Sequence, residues 1–448
     1  MADKTLIHGG WIITENPEEE IIRDGWILLE DDRIAGLGSG PPPRAGGDVR
    51  KICTVGKAVM PGIVNVHTHV CGTLFKSLTE DRKGSFYGLA FPMERFLNPE
   101  SVYILSMLGA IETVKLGSTC INDMYHYMRA TAKAVSELGL RAILYHKTYE
   151  PDLCNLQFND YTPIPGQGLA KLEENVRLIE EFHGTAGGRI ECGFGPHATD
   201  TVSLELAREI RDLADRYGVR IQTHVAQKEQ EVEHDLCRYG LTPVEYLVEA
   251  GFAGERLTAA HCVYLTDSDA RLLGETKTHV AHCPEMMMKR GCFPPVCKWR
   301  ENGVSYALGT DWVSMNPWDN MRFYIAGWRG FGGFDEDAVN ARLALRKSTI
   351  DAARLIGKER EIGSLETGKK ADLIILDLTR PHLQPLYEQD ILSDIVWNAT
   401  GSEVETVIID GRTIVEQGRL CTVDEAAVIR EATDVARGYL DRQLETLR

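Results

Sequence analysis

The chain has 448 residues, 43% hydrophobic and 26% charged, with a formal net charge of −17 at pH 7. That length suits one large domain with a smaller one, and the composition is that of an ordinary globular protein. The acidity gives no basic footprint for nucleic acid and repels anionic membrane, so neither is expected as a partner. The 11 cysteines are odd in number and scattered without a CxxC. The N-terminal MADKTLIHGG lacks a basic segment followed by an apolar core, and no uncharged apolar run approaches bilayer length. Together these features predict a cytoplasmic protein with reduced thiols.

Residues 5–37 alternate in a β manner, and a Gly/Pro-rich surface loop follows at 38–48. Eight short apolar runs come next, at 58–69, 118–126, 141–146, 189–197, 220–227, 257–265, 278–284 and 304–312. Amphipathic stretches lie between most of them. Those at 99–117, 169–184 and 203–218 carry apolar residues at helical spacing, and the last ends on Gly218, a helix stop. Eight strands with helical crossovers over roughly 300 residues predict an α/β protein with a closed, TIM-like (β/α)8 barrel; an open doubly wound sheet is the competitor. The β style resumes in ADLIILDL and TVIIDGRTIVEQGRL, and 424–446 reads as an outer helix. The two ends are expected to meet as a composite β-sandwich domain, residues 1–58 and 361–448, beside a barrel domain of residues 59–360.

In such a barrel, chemistry sits where strands end. Strand one ends on His67 and His69, two residues apart, so both rings can face the mouth and share one ion. Strand four ends on His197, five on His224, six on His261, seven on His282 and eight on Asp311. Chance explains seven such placements poorly, and metal binding explains them well. His126, His146, His183, His234, His279 and His382 read as semi-buried structural residues.

The phrases PGIVNVHTH, THVAQ, AAHCVYL, ALGTDW and IGSLETGKKADLIILDL together resemble the amidohydrolase superfamily over nearly the whole chain. The resemblance is to the branch of 5′-methylthioadenosine/S-adenosylhomocysteine deaminase, guanine deaminase and atrazine chlorohydrolase. It implies that His67, His69, His224 and Asp311 bind one divalent metal, usually Zn2+, with Fe2+ or Mn2+ as alternatives. It further implies that His261 contacts the reacting group, that His197 in GPHAT and Glu94 in FPMERFL contact substrate, and that Lys171 stands where an arginine does so. It also implies a homodimer or higher oligomer. Three neutral imidazoles and a carboxylate leave a place for water, whose pKa falls to about 7 on zinc, and Asp311 can take its proton. The strand-four segment CGFGPHATD holds no lysine to be carboxylated between two metals, so one metal is expected.

Two departures stand out. The enzymes resembled carry HxxE after strand five, where this chain has Gln227, and an amide cannot deliver a proton. Three readings follow. Proton work passes to Asp311 and His261 with Gln227 as a hydrogen-bonding positioner; or Glu229 or Glu231 folds back; or the protein binds a metal or ligand without turnover. The loop after strand seven reads HCPEMMMKRG instead of HNPxSNxKL, and Trp312 and Trp318 follow strand eight. Met287 and Trp312, with His282, are therefore read as substrate-pocket residues, against plain loop packing. The expected function is metal-dependent hydrolysis at an electrophilic carbon of a small nitrogen heterocycle, by deamination or other C–N cleavage. A ring-opening cyclic amidase and a hydrolytic dehalogenase are the alternatives among enzymes.

Overall fold

The computed structural model describes residues 4–42, 49–81, 84, 86–333 and 338–446; part of the loop expected at 38–48 lies outside them. The first five strands are β1 (Lys4–Ile13), β2 (Ile21–Glu30), β3 (Arg33–Ser39), β4 (Val49–Cys53) and β5 (Lys57–Pro61). Eight parallel strands follow: β6 (Ile63–Thr68), β7 (Ser118–Tyr125), β8 (Arg141–Thr148), β9 (Ile190–Pro196), β10 (Ile221–Val225), β11 (Leu257–His261), β12 (His279–His282) and β13 (Tyr306–Leu308). They are hydrogen-bonded in chain order, as helical crossovers between parallel neighbours require. The seam closes past the ends of the first and last strands. There the Asp311 N–H donates to the His67 carbonyl at 2.9 Å, and Thr68 and Asp311 form a parallel bridge. The structure is thus a closed barrel, with the eight strands where the sequence places them.

Val64, Val66, Cys120, Met124, Ile143, Tyr145, Ala260, Ala281 and Ala307 fill the barrel interior in one buried cluster. The helix Ile350–Leu355 contributes Ala352, Ala353 and Leu355 to that cluster. The expected helices appear as Pro99–Lys115, Gln167–Phe182 and Leu204–Tyr217. Gly218 ends the third with φ 68°, a conformation that a glycine adopts without steric cost.

The chain ends build the second sheet. Strands β14 (Leu373–Asp377), β15 (Val404–Ile409), β16 (Arg412–Glu416) and β17 (Arg419–Leu420) join β1 to β5 in the order β17-β16-β15-β14-β5-β1-β2-β3, with β4 beside β1. Ile27 and Leu29 of β2 share one buried cluster with Leu373 and Ile375 of β14 and Ile408 of β15. Strands far apart in the order therefore pack together, so the sheet folds over a core of its own. The terminal helix Glu425–Thr446 lies on the barrel, where Tyr439 donates to the Phe96 carbonyl at 2.7 Å. Among the described residues, no helix is long and apolar enough to cross a membrane.

A buried ion pair links barrel and sheet. Arg141, at the start of β8, reaches Asp372 through Nε at 2.7 Å and Nη2 at 3.0 Å, with Asp410 at 3.4 Å. Removing one partner leaves a buried charge uncompensated. Asp372→Ala should cost about 3 kcal/mol, read as a lower midpoint of chemical denaturation. A loss within experimental error would mean that Asp410 alone satisfies Arg141.

Candidate active site

His67 and His69 reach the barrel mouth from the end of β6, His224 from β10, His261 from β11, and Asp311 from the turn after β13. All five are buried. Asp311 Oδ1 lies 3.6 Å from His67 Nε2 and 3.4 Å from His69 Nε2, and Oδ2 lies 3.8 Å from His261 Nε2. The His67 ring centroid is 5.0 Å from that of His224 and 5.3 Å from that of His261. Ligand atoms of His67, His69 and Asp311, and of His67, His224 and His261, fall within 4.8 Å of one another.

The far side of each ring explains how the near side is aimed. His67 Nδ1 pairs with Gln222 Oε1 at 3.0 Å, His69 Nδ1 donates to the Met124 carbonyl, and His224 Nδ1 donates to the His197 carbonyl. With Nδ1 carrying the proton, each Nε2 lone pair faces the centre. His67 Nε2 is buried there without a partner. Burial first, then neighbouring histidines, holds His224 well below the usual imidazole value. Burial also lowers His69, against the pull of Asp311. For Asp311, burial favours the neutral acid, but His261, His67 and His69 outweigh it and keep the carboxylate ionised. Neutral imidazoles around one carboxylate are the donor set that a zinc-like divalent ion takes. Cys283, which the sequence pattern did not mark, lies within the same reach of His261 and Asp311, but burial and then Asp311 raise its thiol well above the ordinary range, which makes it a poor ligand.

The backbone is strained where the site is built. His261 has φ 78° and Asp311 φ 63°, the left-handed region that costs a non-glycine residue about 1–3 kcal/mol. Hydrogen bonds hold it: the Thr68 hydroxyl donates to the Asp311 carbonyl at 3.1 Å, and the Cys262 N–H to the Val225 carbonyl at 2.9 Å.

A narrow inner pocket opens on this cluster. Of the residues singled out from sequence, His69, Glu94, His197, His224, Gln227, Asp311 and Trp312 line it. Phe86, Phe91, Tyr125, Lys147 and Arg290 complete the wall. Glu94 is buried at one end: Oε1 accepts from the Tyr125 hydroxyl at 2.6 Å, and Oε2 from His126 Nε2 at 2.9 Å, with Lys147 Nζ at 3.5 Å. Burial raises the Glu94 pKa, but Lys147 and His126 overcome it and hold the carboxylate well below its usual range. His126 therefore supports the site instead of merely filling the core.

Three sequence candidates are not brought to the pocket wall. His282 is fully buried among Phe293, Trp299, Tyr306 and Tyr324, with ring centroids 5.3 to 6.3 Å away. Its neighbour Ala281 faces the barrel interior, so strand alternation turns His282 outward, toward the helices. Met287 is buried in the core, its Sδ 4.0 Å from Cys292 Sγ. Residues 284–289 form a helix, on which Met287 and Met286 point to different sides. Lys171 stands over the Tyr149 ring at 5.3 Å. Nor does a glutamate replace Gln227. Glu229 is exposed, and Glu231 accepts from the Ala226 and Gln227 N–H groups and from Thr199, fixing the turn below the pocket.

Lys147, one residue before the end of β8, was open to strand-end reasoning but lay beyond the apolar run 141–146. Arg290 had no signal, because its direction depends on the helix that precedes it.

The Amidohydrolase family model matches residues 58–414. A 5′-deoxyadenosine deaminase of Methanosarcina acetivorans is 35% identical over 450 residues, with 99% of each chain covered. A 5-methylthioadenosine/S-adenosylhomocysteine deaminase of Moorella thermoacetica is 36% identical over 421 residues, covering 92% of this chain and 95% of its own. Among solved structures, an adenosine deaminase from Xanthomonas campestris with bound zinc superimposes with a TM-score of 0.89 at 26% identity, covering 99% of both chains. An atrazine chlorohydrolase from Arthrobacter aurescens, complexed with zinc, gives a TM-score of 0.85 at 20% identity over 96% of this chain and all of its own, a likeness of fold.

Gly309 packs against His67, and a Cβ there would lie 2.8 to 2.9 Å from His67 N, Cβ and O. Gly309→Ala should displace that ring and weaken zinc binding about ten- to a hundredfold, measured by competition with a chromogenic chelator. Unchanged zinc affinity would show that His67 does not hold the ion.

Proposed function

Because the chain belongs to the amidohydrolase family, we propose that it is a mononuclear metal-dependent hydrolase that releases ammonia or an amine from a small nitrogen heterocycle. The observation that carries this reading is the convergence of His67, His69, His224 and Asp311 with each Nδ1 already engaged behind the ring. One divalent ion bound there would supply an activated water at neutral pH.

The protein's own groups do the rest. Asp311 is ionised and has an oxygen on each side of the cluster, so it accepts the attacking water's proton. His261 is held down to about 3, by burial against the pull of Asp311. It is therefore a neutral imidazole at the reacting centre, able to stabilise developing charge by hydrogen bonding. Gln227, in the pocket wall, can donate to or accept from a ring atom but cannot carry the proton onto it. Return of the proton to the leaving group then falls to Asp311. Phe86, Phe91 and Trp312 give the heterocycle flat apolar walls and limit water.

The names of the two curated relatives support an aminopurine of the adenosine class. Glu94 is consistent with a substrate hydroxyl beside it: three internal donors reach the carboxylate, which has about four accepting sites.

Three measurements test this reading. Chelation should abolish turnover, and full activity in metal-free protein would exclude the mechanism. Asp311→Asn should lower turnover by about a hundredfold or more; near-normal turnover would place the base elsewhere. The decisive assay is ammonia release from aminated purines, adenosine derivatives, pterins and amino-triazines, with zinc-loaded wild type beside Gln227→Glu. Wild-type release is expected. Release by the glutamate variant alone would mean that the natural reaction is not deamination.

A further inference from the structure

Gln227 leaves one step of the proposed reaction without a donor. When water adds to a ring carbon that bears an amino group, the C=N electron pair moves onto ring nitrogen, and that nitrogen needs a proton. Asp311 is ionised before the attack and receives a proton from the water, so it has none to give at that moment.

The other residues lining the inner pocket narrow the choice. Glu94 is ionised and holds no proton. The Tyr125 phenol is engaged by Glu94, and burial raises it well above the ordinary range. Burial keeps His197 neutral, and its Nδ1 pairs with the Thr201 hydroxyl at 3.0 Å. Arg290 lies where the pocket meets a wider outer chamber, and a guanidinium does not release its proton in a protein. Among the described lining residues, that leaves the Lys147 ammonium.

The surroundings of Lys147 suit a proton donor. The side chain is buried, with Nζ 5.3 Å from the Phe91 ring centroid and 5.1 Å from that of Tyr125. One N–H reaches Glu94 Oε2 at 3.5 Å. His126 Nε2 is also 3.5 Å away, but its own proton goes to the same carboxylate at 2.9 Å. An ammonium has three N–H groups, so Lys147 keeps donors for a ligand. Burial lowers its pKa, and Glu94 opposes that only in part. Such a lysine gives up a proton more readily than an exposed one, while Glu94 keeps it charged until a base arrives.

We propose that Lys147 is the acid that protonates the substrate ring in place of the missing glutamate, from the side on which Glu94 meets a substrate hydroxyl. The assignment rests on the deamination reading. In an aminopurine that carries a sugar, the ring nitrogen beside the sugar is N3. Attack at C6 places charge on N1, and the N1–C2–N3 amidine shares it with N3. Lys147 gives N3 a proton as the C–O bond forms, and Asp311 takes the proton of the water. The leaving amine then takes the proton from Asp311 as the C–N bond breaks, and N3 returns its proton to Lys147. The products are ammonia and the hydroxy tautomer of the ring, and both residues end as they began.

The test is a double-substitution cycle in the zinc-loaded full chain, with ammonia release from adenosine followed at saturating substrate. Lys147→Arg keeps the charge beside Glu94 but not a proton that can be given up, and Lys147→Met removes both. In the wild-type background each should lower kcat by about a hundredfold or more. In the Gln227→Glu background, where a carboxylic acid is restored to the wall, the same substitutions should cost at least tenfold less. Thermal melts check the fold of each variant, and Lys147→Arg is the one read if Lys147→Met unfolds. Equal losses in the two backgrounds would assign Lys147 to holding Glu94 and overturn the proposal, as would near-normal turnover by Lys147→Arg; either result leaves deamination standing. Release by Gln227→Glu but not by wild type would show that Lys147 does not supply the proton. Release by neither, from any aminated heterocycle, would remove the deamination reading and this proposal with it.

Discussion

The seam between the first and last barrel strands is the constraint on which the site depends. Asp311 donates its N–H to the His67 carbonyl, and its own carbonyl accepts from the His69 N–H at 3.3 Å. The same few bonds that close the cylinder therefore bring a carboxylate against two imidazoles separated from it by more than 240 residues of chain. The bonds that close the barrel therefore also bring the candidate metal ligands together. This explains why the strain at Asp311 is tolerated: the φ of 63° lies in a segment bonded to β6 on both sides, so relaxing it would open the seam. Asn65 adds to the lock, donating to Thr310 Oγ1 at 2.9 Å and accepting from the Thr310 N–H at 3.1 Å.

Backbone strain also settles which way His261 points. Its neighbour Ala260 belongs to the barrel-interior cluster, so simple alternation aims the next residue at the helical layer, where His282 goes after Ala281. At His261 the left-handed backbone breaks that alternation and turns the ring to the mouth. At His282 no such break occurs. Two histidines at corresponding strand ends thus part company through one dihedral angle. That difference cannot be read from residue type, and it is why strand-end reasoning recovered His261 and misdirected His282.

The remainder of what was legible follows the same division. The eight strands and their order could be read because short apolar runs and glycine-ended amphipathic stretches are local signals with strong physical causes. The HxH pair could be read because a period of two is built into a strand. What escaped depended on long-range placement. The loop after β6 folds into two short helical turns that carry Phe86, Phe91 and Glu94 to the pocket, and only Glu94 was marked beforehand. Lys147 and His146 are adjacent on β8, and only the register of the barrel decides which one faces the mouth. Arg290 gains its place from the helix Pro284–Lys289, which sets it four residues after Met286, on the side facing the outer chamber.

The replacement of a carboxylic acid by Gln227 changes the charge balance of the pocket as well as its proton inventory. An acid at that position would add negative charge beside Lys228 and within the field of Arg290. With an amide there, the negative groups of the inner pocket are Asp311, matched to the histidine cluster, and Glu94, matched to Lys147 and His126. Lys228 and Arg290 stand against aromatic rings, with Asp200 and Glu231 drawing on the Lys228 charge from within the fold.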